Sequence, residues 1–106
     1  MNMSGRKVVI SEVLSPDLAL RFNADAFFDY LDSLPENHWI IDFCNVRTIT
    51  RSFAQEYKSR KAKTRKTIFE INVPTNVRKM FDIVETVFEK TRLLDLKKGK
   101  PITLTM

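Results

Sequence analysis

The chain has 106 residues, of which 43% are apolar, and carries 18 Lys/Arg against 13 Asp/Glu for a net charge of +5. This size and composition predict one domain over residues 1–106, and no apolar run approaches the roughly 20 residues of a membrane-spanning helix. With one cysteine, one histidine and no apolar leader, we expect a soluble, cytoplasmic protein without an internal disulfide, a bound metal or a cofactor.

Two strands are predicted at the start of the chain. Residues 7–14 are rich in β-branched side chains and lack helical spacing, which favours a strand. Leu18, Leu20 and Phe22 alternate with other residues, which suits a short second strand. The Ser-Pro-Asp turn between the two segments predicts that they form a hairpin.

A helix and a buried strand are predicted next. Asn23 is a suitable N-cap, and apolar residues then recur at helical spacing up to Leu34, where Pro35 disfavours continuation. The apolar run 39–43 predicts a strand at the centre of the sheet, because its side chains are apolar on both faces.

The second half predicts two more helices and one or two strands. A helix opens at Ser52 and becomes polar toward Lys61, and residues 67–73 form a strand that Pro74 closes. The third helix is marked by Val77, Met80, Phe81, Val84, Val87 and Phe88. Residues 102–106 suit an edge strand. The alternation predicts an α/β domain with a mixed sheet of about four to five strands covered by three helices.

Ser52 lies where a strand, a polar loop and a helix meet, and two interpretations remain open for it. Ser52 and Gln55 have the spacing of a capping box, in which each side chain binds the backbone N–H of the other. Alternatively, a serine hydroxyl at a helix start is a candidate phosphorylation site, because the helix dipole stabilises added negative charge there.

The residues around this junction resemble a known family. Residues 41–46 and 49–54, IDFCNV and ITRSFA, resemble the central motif of STAS domains, the fold of anti-sigma factor antagonists and of sulfate-transporter cytoplasmic tails. They are closer still to the STAS-like family of unknown function. In the antagonists the serine matching Ser52 is phosphorylated by a kinase that is also the anti-sigma factor. Their usual Asp-Ser-Ser-Gly is replaced here by Thr50, Arg51, Ser52 and Phe53.

The resemblance implies a single STAS-like domain that acts as a non-catalytic regulatory protein-interaction module. Its partner would be an ATPase-type kinase or an anti-sigma-like regulator. Arg51 can hold a carboxylate or phosphate through two hydrogen bonds. The expected partner-binding residues are Asp42, Thr48, Thr50, Arg51, Ser52, Gln55 and Glu56.

A basic segment, residues 58–66, offers an alternative function. Residues 1–50 hold 4 Lys/Arg and 7 Asp/Glu, whereas residues 51–106 hold 14 and 6. The cations of the basic segment are Lys58, Arg60, Lys61, Lys63, Arg65 and Lys66, with no acidic residue among them. They predict either a solvated helix end or nonspecific nucleic-acid binding, since no interleaved aromatic residue could read bases.

Catalysis is not expected. Gly5 and Gly99 are the two glycines, so a glycine-rich phosphate loop is excluded, and the sequence contains no recognisable serine, histidine and acid set. Cys44 follows the apolar strand and fits a half-buried small hydrophobe better than a reactive thiol. Asp42 ends that strand, where a lone carboxylate serves to order the following loop.

Overall fold

A computed structural model describes the backbone of residues 5–98 and the side chains of residues 5–87. The strands are β1 (Arg6–Val9), β2 (Asp17–Leu18), β3 (His38–Asp42), β4 (Thr48–Ile49) and β5 (Thr67–Ile71). The helices are α1 (Ile10–Val13), α2 (Arg21–Asp32), α3 (Arg51–Lys63) and α4 (Thr75–Lys98). This alternation confirms the α/β class, while the edge strand expected at 102–106 lies outside the described residues.

The strands form two parallel sheets. The larger has the order β1-β3-β5, and its register aligns Val8 with Ile41 and Ile41 with Glu70. The smaller joins β2 to β4. β3 is therefore the central strand, as its apolar sequence predicts. All pairings between described strands are parallel, so this part of the chain contains none of the antiparallel pairing that a mixed sheet requires.

The predicted opening hairpin is wrong. β1 ends at Val9, which lies opposite Asp42, the last residue of β3, so a longer β1 would have no backbone partner. The chain instead turns through α1, where the Leu14 N–H donates to the Ile10 carbonyl at 2.9 Å. β2 then pairs with β4 in parallel rather than with β1.

The start of α2 also differs from the prediction. The helix begins at Arg21, with Leu20 rather than Asn23 at the N-cap and no side-chain cap. Because β2 ends at Leu18, the chain is free to turn into a helix before Asn23 is reached. The alternation at Leu18, Leu20 and Phe22 therefore crosses from a strand into the first turn of a helix.

The core contains an aromatic cluster around Tyr57. Its ring lies 5.1 Å from Phe81 and 5.2 Å from Phe28, measured between ring centroids. Tyr57 is fully buried, and its hydroxyl donates to the Glu70 carboxylate of β5 at 2.5 Å. Burial first, and then the charge of Glu70, raise the pKa of the Tyr57 phenol well above its ordinary value, so it stays protonated.

The predicted third helix is confirmed as α4. Val77 and Val84 are fully buried, Phe81 is nearly so and Met80 packs against them, which places this part of the predicted apolar stripe against the core. Val87 is instead 38% exposed, and the side chain of Phe88 lies outside the described residues. Because strands β1, β3 and β5 run parallel and α2 and α3 connect them, these two helices begin at the carboxyl edge of the sheet. No described helix is long and apolar enough to cross a membrane.

Candidate functional site

Ser52 lies at the carboxyl edge of the sheet, on the second residue of α3. Its side chain is exposed, whereas the next two residues, Phe53 and Ala54, are fully buried and hold the helix against the core. The helix start is therefore held against the core by its buried side, while the hydroxyl of Ser52 faces outward.

The predicted capping box at Ser52 and Gln55 is wrong, because Thr50 caps α3. The Thr50 hydroxyl accepts from the Phe53 N–H at 3.1 Å and donates to the Ala19 carbonyl at 2.6 Å. Since the helix begins at Arg51, Thr50 occupies the N-cap. Among described residues the Ser52 hydroxyl has no hydrogen-bond partner, so the helix does not depend on it.

Asp42 lies inside the protein, with 3% of its surface exposed. Its carboxylate accepts from the Cys44 N–H at 2.9 Å and from the Asn72 side-chain amide at 3.0 Å, and Lys7 Nζ lies 3.4 Å away. These contacts tie together the three strands of the larger sheet. A partner could not reach this carboxylate without disrupting them.

The same contacts keep Asp42 ionised. Burial is the largest single influence and raises the pKa of its carboxyl group. The hydrogen bonds from Asn72, Cys44 and Lys7 together outweigh burial, and the pKa lies below its ordinary value. Asp42 is therefore a charged structural acceptor, which agrees with its expected role in ordering the loop.

Cys44 is half-buried next to Asp42. Burial, followed by the hydrogen bond and charge of Asp42, raises the pKa of its thiol above the ordinary value. A raised pKa keeps the thiol protonated at neutral pH and lowers its nucleophilicity. This environment is that of a small packed side chain, as the sequence indicates.

The loop before α3 is held by ion pairing and hydrogen bonding to Asp17. Asp17 accepts from Arg47 Nη2 at 2.7 Å and from the Thr48 hydroxyl at 2.9 Å, and these bonds lower its pKa. Thr48 and Thr50 are thus exposed but engaged internally. Gln55 and Glu56 are half-buried on α3. Of the expected partner-binding residues, Arg51 and Ser52 are exposed, and their side chains form no hydrogen bond or ion pair with a described residue.

Three exposed residues beside Ser52 were not predicted as part of a site. Leu20 is 60% exposed and Phe22 is 74% exposed, with the exposed Arg21 between them. The N–H of Thr50 donates to the Leu18 carbonyl at 2.9 Å, which places the starts of α2 and α3 side by side. We call Leu20, Arg21, Phe22, Arg51 and Ser52 the helix-start surface. In the sequence, the apolar residues Leu20 and Phe22 alternate just before Asn23, a residue typical of an N-cap. This pattern was the one signal for an exposed surface here, but it also fits a strand.

Arg60 of the basic segment joins α3 to α2. Its guanidinium pairs with Asp25 and, at 2.8 Å, with Asp29, while Asp32 lies 3.4 Å away. These aspartates recur at helical spacing on one face of α2. The Arg60 charge is therefore neutralised within the protein rather than offered to a nucleic acid.

Three more cations of the basic segment also have internal partners. Lys58 pairs with Glu85 at 3.0 Å, and Lys61 pairs with Glu70 at 3.1 Å. Lys66 Nζ donates to the Leu34 and Glu36 carbonyls at 2.6 and 2.7 Å. The remaining two, Lys63 and Arg65, are exposed and form no ion pair with a described side chain.

The basic segment begins at Lys58, six residues after Ser52 and about 9 Å along the axis of α3, and it continues past the end of the helix. Its exposed cations Lys63 and Arg65 lie at and beyond the last residue of α3, about 16 Å or more along the helix axis from Ser52. An open groove of about 480 Å³ runs along the far half of α3. Its lining residues are Lys58, Ser59, Lys61, Ala62, Lys63 and Glu85. A ligand in this groove would not contact the helix-start surface.

No protein-family model, curated protein or solved structure matches the chain. The resemblance of residues 41–46 and 49–54 to STAS domains therefore stays a prediction from sequence. Within residues 5–87, no group of three or more His, Cys, Asp or Glu side chains could hold a metal ion. The helix-start surface is the region on which a functional hypothesis can be built.

Proposed function

We propose that this protein is a non-catalytic regulatory module that binds a protein partner through the helix-start surface, with phosphorylation of Ser52 as the switch. The observation that carries the proposal is the free, exposed hydroxyl of Ser52 on a helix whose cap is supplied by Thr50. A serine without a structural task at this position is available for modification.

The local electrostatics favour a phosphate at Ser52. The first backbone N–H groups of a helix lack partners within the helix, and the dipole favours negative charge there. Arg51 is adjacent in sequence and exposed, and its guanidinium can bind a phosphate through two hydrogen bonds. Phosphorylation would add about −1.5 to −2 charges without removing any contact that holds α3.

The class of partner comes from the sequence resemblance. An ATPase-type kinase or an anti-sigma-like regulator would bind the unmodified surface, phosphorylate Ser52 and then release it. Phe53 stands where the antagonists usually have glycine, and here its ring is buried in the core. Phe53 therefore leaves the outward side of the helix start to Arg51 and Ser52, which supports a binding surface at this junction.

The test compares tagged wild type, Ser52→Ala and Ser52→Asp expressed in the source cells. We expect a protein that co-purifies with wild type and Ser52→Ala but is depleted with Ser52→Asp, and phosphate on Ser52 in wild type, both measured by quantitative mass spectrometry. Ser59→Asp is the matched control, because it places the same charge on the same helix two turns away. Equal recovery with all variants and an unmodified Ser52 would refute the proposal.

A further inference from the structure

We propose that the partner of the helix-start surface presents apolar side chains flanked by carboxylates, and that Leu20 and Phe22 are its principal apolar contacts. This inference rests on the proposed function and adds the chemistry of the partner. It is drawn from the two most exposed large hydrophobic side chains of the described residues, which lie at the start of α2, next to the Leu18 and Ala19 carbonyls that Thr50 binds.

Leu20 and Phe22 are not needed for the core. α2 buries its opposite side through Ala24, Phe27, Phe28 and Leu31, each at most 1% exposed. Phe22, at 74% exposed, lies outside that stripe. An aromatic ring left in water loses the free energy of burial, and exposed aromatic residues are enriched in protein interfaces. Phe22 therefore fits the role of an anchor residue.

The charge of this surface selects an acidic partner. Arg21 and Arg51 are exposed, and neither pairs with a described acidic side chain. Asp17, the acidic residue on the adjoining β2 strand, is already occupied by Arg47 and Thr48. Two free guanidiniums beside an apolar patch complement carboxylates that flank apolar side chains.

The surface is held in place before a partner binds. The Thr50 side chain and N–H both donate to the segment before α2, at the Ala19 and Leu18 carbonyls. Further along, Arg60 joins the two helices through Asp25 and Asp29. A rigid surface loses less conformational entropy on binding, which favours affinity.

The same charges explain how Ser52 could act as a switch. A phosphate of about −1.5 to −2 charges beside Arg51 would neutralise the local positive charge. An acidic partner would then face a neutral or negative surface and dissociate. A basic partner would instead bind more tightly after phosphorylation, so the partner's charge decides the direction of the switch.

The test uses random 12-residue peptides displayed on phage and selected on the immobilised full chain. We expect the selected peptides to combine Asp or Glu with large apolar residues. By fluorescence polarisation, Phe22→Ala should weaken their binding at least tenfold and Arg51→Ala severalfold. The matched controls are Phe69→Ala, an exposed phenylalanine on β5, and Arg65→Ala, an exposed arginine of the basic segment; both should bind as wild type does.

The inference is overturned if no peptide depends on Phe22, or if the selected peptides lack an excess of acidic residues. Circular dichroism melts of Phe22→Ala should match wild type, since an exposed ring contributes little to stability. Peptides that need Phe22 but bind Ser52→Asp unchanged would support this partner chemistry and remove the switch. A cellular partner that responds to Ser52→Asp but not to Phe22→Ala would support the proposed function and overturn this inference.

Discussion

Replacing Thr50 and Ser52 in turn tests which hydroxyl holds the start of α3. Thr50→Ala removes the acceptor for the Phe53 N–H and the donor to the Ala19 carbonyl. A lost cap costs about 1 kcal/mol, and a lost intramolecular hydrogen bond costs about another 0.5–1.5 kcal/mol. We therefore expect Thr50→Ala to lower the free energy of unfolding by about 2 kcal/mol.

Ser52→Ala should change the free energy of unfolding by less than about 0.5 kcal/mol, because its exposed hydroxyl has no partner among the described residues. Urea denaturation followed by circular dichroism measures both values. In a domain of this size, a loss of about 2 kcal/mol lowers the melting temperature by roughly 8–16 °C. Thr50→Ser keeps the hydroxyl and is the control for lost packing of the methyl group.

A Ser52→Ala variant as unstable as Thr50→Ala would refute this reasoning. It would mean that Ser52 is the cap, and the serine would then have a structural task. The Ser52 hydroxyl would then be engaged in the cap, and the proposed switch depends on its being free. A wild-type-like Thr50→Ala would refute the assignment of the cap in the same way.

Three further predictions concern other parts of the domain. Arg60→Gln should lower the free energy of unfolding, measured in urea, by about 1–2 kcal/mol, since it leaves the aspartates of α2 unpaired. The control Arg65→Gln should change it by less than about 0.5 kcal/mol. Equal losses in the two variants would contradict the pairing of Arg60 with α2. The pKa of Asp42 is lowered in the fold, so its contribution to stability is full above the ordinary value of 3.8 and is lost as the pH falls through the folded pKa. The stability gap between wild type and Asp42→Asn should therefore narrow below that pH, and a gap unchanged in acid would contradict the role of the carboxylate. Finally, the chain should bind duplex DNA weakly even at 50 mM salt; strong, steeply salt-dependent binding that Lys63→Ala and Arg65→Ala abolish would favour the nucleic-acid function instead.

The sequence predicts the buried elements well. The apolar run of β3 predicts a buried strand, and the spacing of Val77, Phe81 and Val84 predicts the face of α4 that packs on the core. Both predictions hold because exposing those side chains would cost free energy. The end of β1 could not be predicted from its own residues. It is set by the end of β3, some thirty positions further along the chain.

Of the helix-start surface, the sequence predicted Arg51 and Ser52 as site residues but not the three residues at the start of α2, and it did not predict the contacts around them. Thr50 and Ser52 are both good caps, and the exact first residue of the helix decides between them. Asp42 is a polar residue whose burial depends on Asn72 and Lys7, neither of them near it in sequence. The exposure of Phe22 follows from the side of α2 that faces the core. These outcomes are set by tertiary packing rather than by local sequence.

The all-parallel pairing of the described strands has a consequence for how the protein is made. Each strand pair joins positions about thirty residues apart in the chain, such as Arg6 with Trp39 and His38 with Thr67. Such distant pairings close long loops and slow the search for the native state. During synthesis, β3 has backbone partners on both sides only after β5 has left the ribosome, so one edge of the central strand is unpaired until then.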